Sequence, residues 1–428
     1  MTSTVVQSLR REAHDLIWVI SGKAALIGAN AALMLMLARR LDLKTYGLLV
    51  TVISAQLLIS RLLLVGVDRG IMRLRTVAEL QVSPDSIVQA GLAVVAYTSL
   101  ASVLACVTTE LILFLSGSST LVLATVVSAT IGALGTTLVD YSYAFYLSHL
   151  QFRAASMVQS ITATGRFILT ISVALAYPHR PSLIFLSYAG ASLAFGILNV
   201  TLAMRGISFR CDHRLMAKMV RYTLWPCSTN IVVILGVYEG TFLITALHQQ
   251  EASGLFGLAL TLSMGFFAVY QAYFEYLLPK VAHIPSRREL PRFLLRAYFL
   301  SFLFIVVGIP AGWFIGRIVP DLLQPGLHGV VPIFYTLSIS MILLMLQTPL
   351  EVTVHYLLRP HLITAGWTVR VVTMALLGLA FVPATGAQGM AWAQVGGGIA
   401  GLLAIVVMGV VSLASEAKTD YHFLDVSS

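Results

Sequence analysis

The residues of this sequence that could do chemistry are ionisable side chains set inside long apolar runs. Four are cations: Lys23, Arg61, Arg166 and Arg370. Three are acids, Asp140, Glu239 and Glu351, and two more, Asp68 and Glu275, stand where an apolar run gives way to basic residues. A charge within a bilayer is costly, so such groups face a partner or a water-filled cavity. Lys23 and Arg61 have no acid close in sequence. They are candidates for holding an anionic cargo, the arginine as a fork and the lysine as a point charge, with pairing to a neighbouring helix as the alternative. Asn30 lies two turns beyond Lys23 on roughly the same face and is suited to bonding hydroxyls of a cargo or a neighbouring helix. Arg166 and Arg370 each follow a run that ends in an acid. The order predicts structural pairs, Asp140 with Arg166 and Glu351 with Arg370, because leaving one buried partner alone costs about 3–5 kcal/mol; contact with the cargo is the alternative for both arginines. Glu239 is the candidate for ion coupling, since a carboxylate in a partly dry cavity can exchange a proton; a pair with Lys23 or with a cation of an outer loop is its alternative. Asp68 and Glu275 are placed as a rim at one membrane face, and Arg39 as a rim at the other. No acid–base or nucleophilic constellation and no metal-ligand spacing accompanies these groups, and Cys106, Cys211 and Cys227 form no C-x-x-C pair. Neither an enzyme nor a metal or cofactor protein is expected.

The elements that must position these groups are membrane helices. The chain has 428 residues, 58% hydrophobic and 11% charged, against roughly a quarter charged in soluble domains. Apolar runs of about 20 residues, long enough to cross a hydrocarbon core as a helix, recur to the end. Twelve are expected, at 16–38, 47–66, 87–109, 121–146, 155–177, 182–204, 223–247, 254–277, 293–317, 329–350, 361–382 and 387–413. The fold class is therefore all-α and polytopic. An N-terminal segment, 1–15, precedes the first helix, which reads as retained and not as a cleaved signal. Helices 1–6 form one unit, 16–204; a basic linker, 205–222, leads to a second, 223–413; a tail, 414–428, follows. Gly396, Gly397 and Gly398 fall mid-run and predict close helix packing.

Placing the N-terminus in the cytoplasm leaves only Arg39, Arg40, Lys44, Arg180 and Arg317 outside and gathers the other loop lysines and arginines inside. That bias sets the orientation, with both termini cytoplasmic. It also accounts for the net charge of +9 without nucleic acid. Arg39, Arg40 and Lys44 are the exception, either snorkelling to headgroups or forming a basic vestibule.

The two units read as a repeat. Gly47 opens an apolar run that ends at Asp68; Gly254, about 207 residues later, opens one that ends at Glu275. Duplicated halves are a common architecture of transporters. Helix 1 runs into Arg39, Leu41, a short polar step and Tyr46-Gly47, and helix 2 into Gly66-Val67-Asp68-Arg69 and Arg73. Arg221-Tyr222, Pro226, Gly254 and Leu278-Pro279-Lys280 follow in order, with Gln151-Phe152-Arg153 after helix 4. This series resembles the polysaccharide-transporter (oligosaccharide/O-antigen flippase) family of the multidrug/oligosaccharidyl-lipid/polysaccharide (MOP) superfamily. Asp42 stands where a glycine is common, and Glu239-Gly240 where Asp-Arg is frequent, so no role of that arginine carries over.

The resemblance implies two six-helix lobes around a central cavity in the bacterial inner membrane. It implies alternating-access flipping of an undecaprenyl-diphosphate-linked oligosaccharide for exopolysaccharide, capsule or O-antigen export, beside a polymerase and co-polymerase. Four deep cations against the acids Asp140 and Glu239 agree with an anionic cargo. A drug or cation antiporter of the same superfamily is the second expectation, for which Glu239 is the support. A membrane glycan polymerase or ligase is less favoured, because the outer loops are short and carry no acid–base pair.

Overall fold

The computed structural model describes residues 2–74, 84–116, 120–149, 151–207, 212–247, 249–282, 289–322, 328–356 and 360–416. Among them every regular element is a helix: α1 Thr2–Ala38, α2 Leu43–Leu64, α3 Val67–Leu74, α4 Pro84–Leu115, α5 Thr120–Ser148, α6 Phe152–Ala176, α7 Pro181–Ala203, α8 His213–Ala246, α9 Gln250–Ala282, α10 Leu290–Leu322, α11 Val330–Tyr356 and α12 Pro360–Glu416. Eleven contain stretches long and apolar enough to span a membrane. The last such stretch, His361–Gly409, runs 49 residues, more than twice the roughly 20 that one crossing needs. It is broken at Gly386, whose φ of 59° and ψ of −132° leave helical geometry in a region that favours glycine. Two crossings result there, and the expected twelve are recovered.

Helix ends differ from expectation where the local chemistry is stronger than the change in hydropathy. No proline interrupts residues 2–38, and the segment expected to precede helix 1 is continuous helix with it. Asp212 caps α8 by accepting from the backbone N–H groups of Arg214 and Leu215 at 2.9 and 3.2 Å, so the second half of the basic linker is helical. Side-chain capping of this kind satisfies donors that a helix start leaves open. The second helix stops short at Leu64, where Val65 and Gly66 take positive φ values of 48° and 70°. A Cβ on Gly66 would stand 2.9 Å from the Thr223 carbonyl oxygen, so the turn is also pressed onto α8.

Helices α1–α7 pack mainly among themselves, as do α8–α12, and α2 crosses the boundary to meet α8 and α9. The N-terminal half holds together through α5 on α7 and α1 on α6; the C-terminal half through α9 on α11 and α11 on α12. Gly397 lies where a Cβ would meet the Arg370 carbonyl oxygen at 2.8 Å, the close approach expected of the glycine triplet. The outermost helices, α4 and α10, expose Leu104, Leu115, Leu295 and Phe299, as surfaces facing lipid tails do.

Candidate functional site

The polar groups buried in the N-terminal half are ordered by the contact of α2 with α5. Gln56 donates to Thr136 Oγ1 at 2.7 Å, and Thr137 donates to the Ser60 carbonyl at 3.2 Å. One turn further, the Arg61 guanidinium meets Asp140 Oδ2 at 3.2 Å. The two helices run parallel, and the ion pair is the last rung of that contact. Both side chains keep about a quarter of their surface open, 28% and 25%. Asp68, in the first turn of α3, is half-buried and adds its field to the pair, as does Tyr238 of α8 to Arg61.

This corrects the predicted pairing of Asp140 with Arg166. The two residues share a helical hairpin, but Asp140 is turned toward α2, where Arg61 waits. Arg166, on α6, is buried to 7% exposure. Its Nη2 donates to Asn30 Oδ1 of α1 at 2.5 Å, and its guanidinium lies 4.7 Å from the centre of the Tyr188 ring of α7. No carboxylate bonds it among the described residues, and its buried Nε–H has no acceptor.

The C-terminal half repeats the theme with different partners. Arg370, 2% exposed, donates from Nη2 to Ser340 Oγ at 2.9 Å and lies 5.1 Å from the centre of the Trp367 ring. The predicted pair with Glu351 is not formed. Glu351 instead accepts from Tyr270 Oη at 2.8 Å and from Gln347 Nε2 and Trp367 Nε1, each at 2.7 Å. Three donors satisfy a buried carboxylate, so Glu351 leaves the arginine to the ring face of the same tryptophan. In each half, then, a buried guanidinium rests on a neutral oxygen and an aromatic face, an attraction worth about 2 kcal/mol when desolvated.

The remaining expected residues are dispersed. Lys23 is half-buried on α1 and Arg39 is exposed at the end of that helix; both are engaged by their surroundings. Glu239 is half-buried on α8, its Oε2 buried without a hydrogen-bond partner. The Glu275 side chain lies outside the described residues. Tyr188, Tyr238, Tyr270, Gln347 and Ser340 are site residues that the sequence does not announce. Trp367 is announced in part, since residues three apart on a helix are neighbours.

No protein-family model matches this chain, and no curated protein does. Solved structures do match. Over 95% of this chain and 94% of the other, it is similar to the lipid II flippase MurJ in an inward closed conformation, with a TM-score of 0.71 and 13% identity. It is similar to an inward-facing multidrug resistance MATE family transporter of the MOP superfamily, with a TM-score of 0.70 and 12% identity over 95% and 100% of the two chains. A MOP superfamily transporter from Pyrococcus furiosus matches with a TM-score of 0.61 and 11% identity over 95% and 97%. This polytopic, all-helical chain has the fold of the MOP superfamily transporters.

Proposed function

We propose that the protein is a flippase of the MOP superfamily. Its cargo would be an undecaprenyl-diphosphate-linked oligosaccharide, carried across the bacterial inner membrane by alternating access of two lobes, residues 16–204 and 223–413, with both termini cytoplasmic. The observation that carries this reading is Arg166. A buried cation whose partners are neutral, Asn30 and Tyr188, keeps charge for an anion, which an acid-paired arginine would not. Arg61 supplies a second guanidinium, already balanced by Asp140. Lys23 belongs to the same reading as a point charge. A polymerase and co-polymerase would act on the flipped product. The likeness of fold to a lipid II flippase supports a lipid-linked cargo, and no covalent step is needed.

Binding tests the reading. A ligand that binds only the folded state raises thermal stability, by an amount that grows with the logarithm of its concentration once that exceeds Kd. Protein in nanodiscs is heated with a short prenyl-diphosphate oligosaccharide or with a lipophilic cation. Stabilisation by the first, lost in Arg166→Gln, is expected. Stabilisation by the cation alone overturns it.

A second reading, a cation or drug antiporter, is favoured by Glu239, whose buried Oε2 has no partner, and by the likeness of fold to MATE transporters. It predicts that Glu239→Gln abolishes cation binding.

A further inference from the structure

At the Leu43 end of α2 a recess of about 290 Å³ opens between two connections, α1–α2 and α6–α7. Arg40, Asp42 and Thr45 line it from one side; Pro178, His179 and Pro181 from the other. The chemistry of this wall is cationic. The Asp42 carboxylate is already committed as the N-cap of α2, accepting from the Thr45 N–H at 3.0 Å. Burial alone would push its carboxyl up; the bonds from Thr45 and the charge of Lys44 outweigh that and hold it below the usual carboxylate range. Arg40 and His179 are both exposed into solvent, and Arg39, Lys44 and Arg180 stand exposed around them. The recess also lies at the start of α7. There Pro181 occupies the first turn, and Arg180, at the cap position, makes no side-chain cap bond. Pro181 has no N–H and the Leu183 N–H is held by the Arg180 carbonyl at 3.0 Å, so the start of this 23-residue helix offers an anion chiefly its positive partial charge.

We propose that this recess binds a phosphate-bearing anion at the membrane surface. The Arg40 guanidinium would grip two of its oxygens, the His179 ring would donate one N–H, and the start of α7 would complete the cradle. The inference rests on the fold and these side chains, and not on the identity of the transported cargo. The phosphate has two possible sources, the headgroup of an acidic bilayer lipid or the phosphate of a cargo at the same face. Thr45 is two residues from Gly47, which packs against α9. An occupied recess would therefore brace the end of α2 where the two halves of the molecule meet.

The test titrates the full chain with inorganic pyrophosphate by calorimetry, in nanodiscs of phosphatidylcholine and in nanodiscs that also contain phosphatidylglycerol. Saturable binding in both, weakened about tenfold by Arg40→Gln as expected for one charge-assisted contact, supports a site for cargo phosphate. Binding in phosphatidylcholine that disappears with phosphatidylglycerol supports a headgroup site. His179→Gln should weaken binding less than Arg40→Gln does. Arg205→Gln, exposed far from the recess in sequence, should leave it unchanged. Because Arg40 and His179 are exposed, thermal stability without ligand should match the wild type, which confirms that each variant is folded. Absence of pyrophosphate binding in phosphatidylcholine nanodiscs, or equal affinity for wild type and Arg40→Gln, overturns the proposal.

Discussion

Gly47 and Gly254 face each other across the boundary between the two halves of the chain. A Cβ on Gly47 would stand 3.0 Å from the Gly254 nitrogen and would collide with the Gln250 carbonyl oxygen. One on Gly254 would stand 3.3 Å from the Gly47 nitrogen and 2.6 Å from the Leu43 carbonyl oxygen. The same position of the repeat thus meets its own counterpart, and the contact is backbone against backbone. Thr51 and Thr245 add a hydroxyl bond of 2.9 Å one turn along. Small residues permit such approaches between membrane helices.

Valine at position 47 should therefore hold the α2 and α9 ends apart. Overpacking of this kind costs about 1–3 kcal/mol, so Gly47→Val should lower the thermal midpoint by a few degrees. Gly28 has open space around its Cβ position, and Gly28→Ala should be nearly silent in the same melt. Equal behaviour of the two variants would show that the seam is not a close contact.

Arg61 and Asp140 should be energetically coupled. Their surfaces are only about a quarter exposed, so removing one partner leaves a half-buried charge. Arg61→Ala and Asp140→Asn should each destabilise by about 1–3 kcal/mol, between the values for exposed and fully buried pairs. The double variant should lose clearly less than the sum, as groups in contact do. Strict additivity in thermal melts would remove the pair.

Trp367 has two separable roles. Trp367→Phe deletes the indole donor to Glu351 and keeps a ring for Arg370; the lost donor should cost about 1–3 kcal/mol. Trp367→Leu deletes both and should cost more. If the two variants melt together, the ring face contributes nothing to holding Arg370.

The pH dependence of Asp42 has a defined sign. Its folded carboxyl is depressed, so its stabilising contribution is present above the ordinary carboxylate value and is lost as pH falls through the folded value. Loss of an N-cap costs about 1 kcal/mol. Asp42→Ala should thus be less stable than wild type at neutral pH, and the gap should close below about pH 4. Asp42→Asn, which keeps a capping oxygen but does not titrate, should stay close to the wild type at neutral pH and hold its margin over Asp42→Ala at low pH. A gap between wild type and Asp42→Ala that persists at low pH would place the effect elsewhere.

The twelve crossings were legible in the sequence because apolar run length is a one-dimensional signal; even the break at Gly386 falls between two expected helices. The partners were not. Asp140 and Arg166 share a hairpin, and adjacency suggested a bond. Which way a side chain points depends on how a helix is rotated against all its neighbours. The contact of Gln56 with Thr136 shows α5 turned toward α2. Glu351 failed as a partner of Arg370 for a second reason. Its three donors come from α9, from its own helix and from Trp367, and no spacing in the sequence brings Tyr270 to it. Trp367, three residues before Arg370, was the legible part.

The most direct test of the central claim is transport itself. The protein is reconstituted in liposomes with a short prenyl-diphosphate oligosaccharide in the inner leaflet, and an impermeant glycan-modifying enzyme outside reports the sugar that arrives. Protein-dependent exposure of the glycan is predicted, strongly slowed in Arg166→Gln while the variant stays folded. A rate no faster than that of protein-free liposomes, from folded wild-type protein, would contradict it.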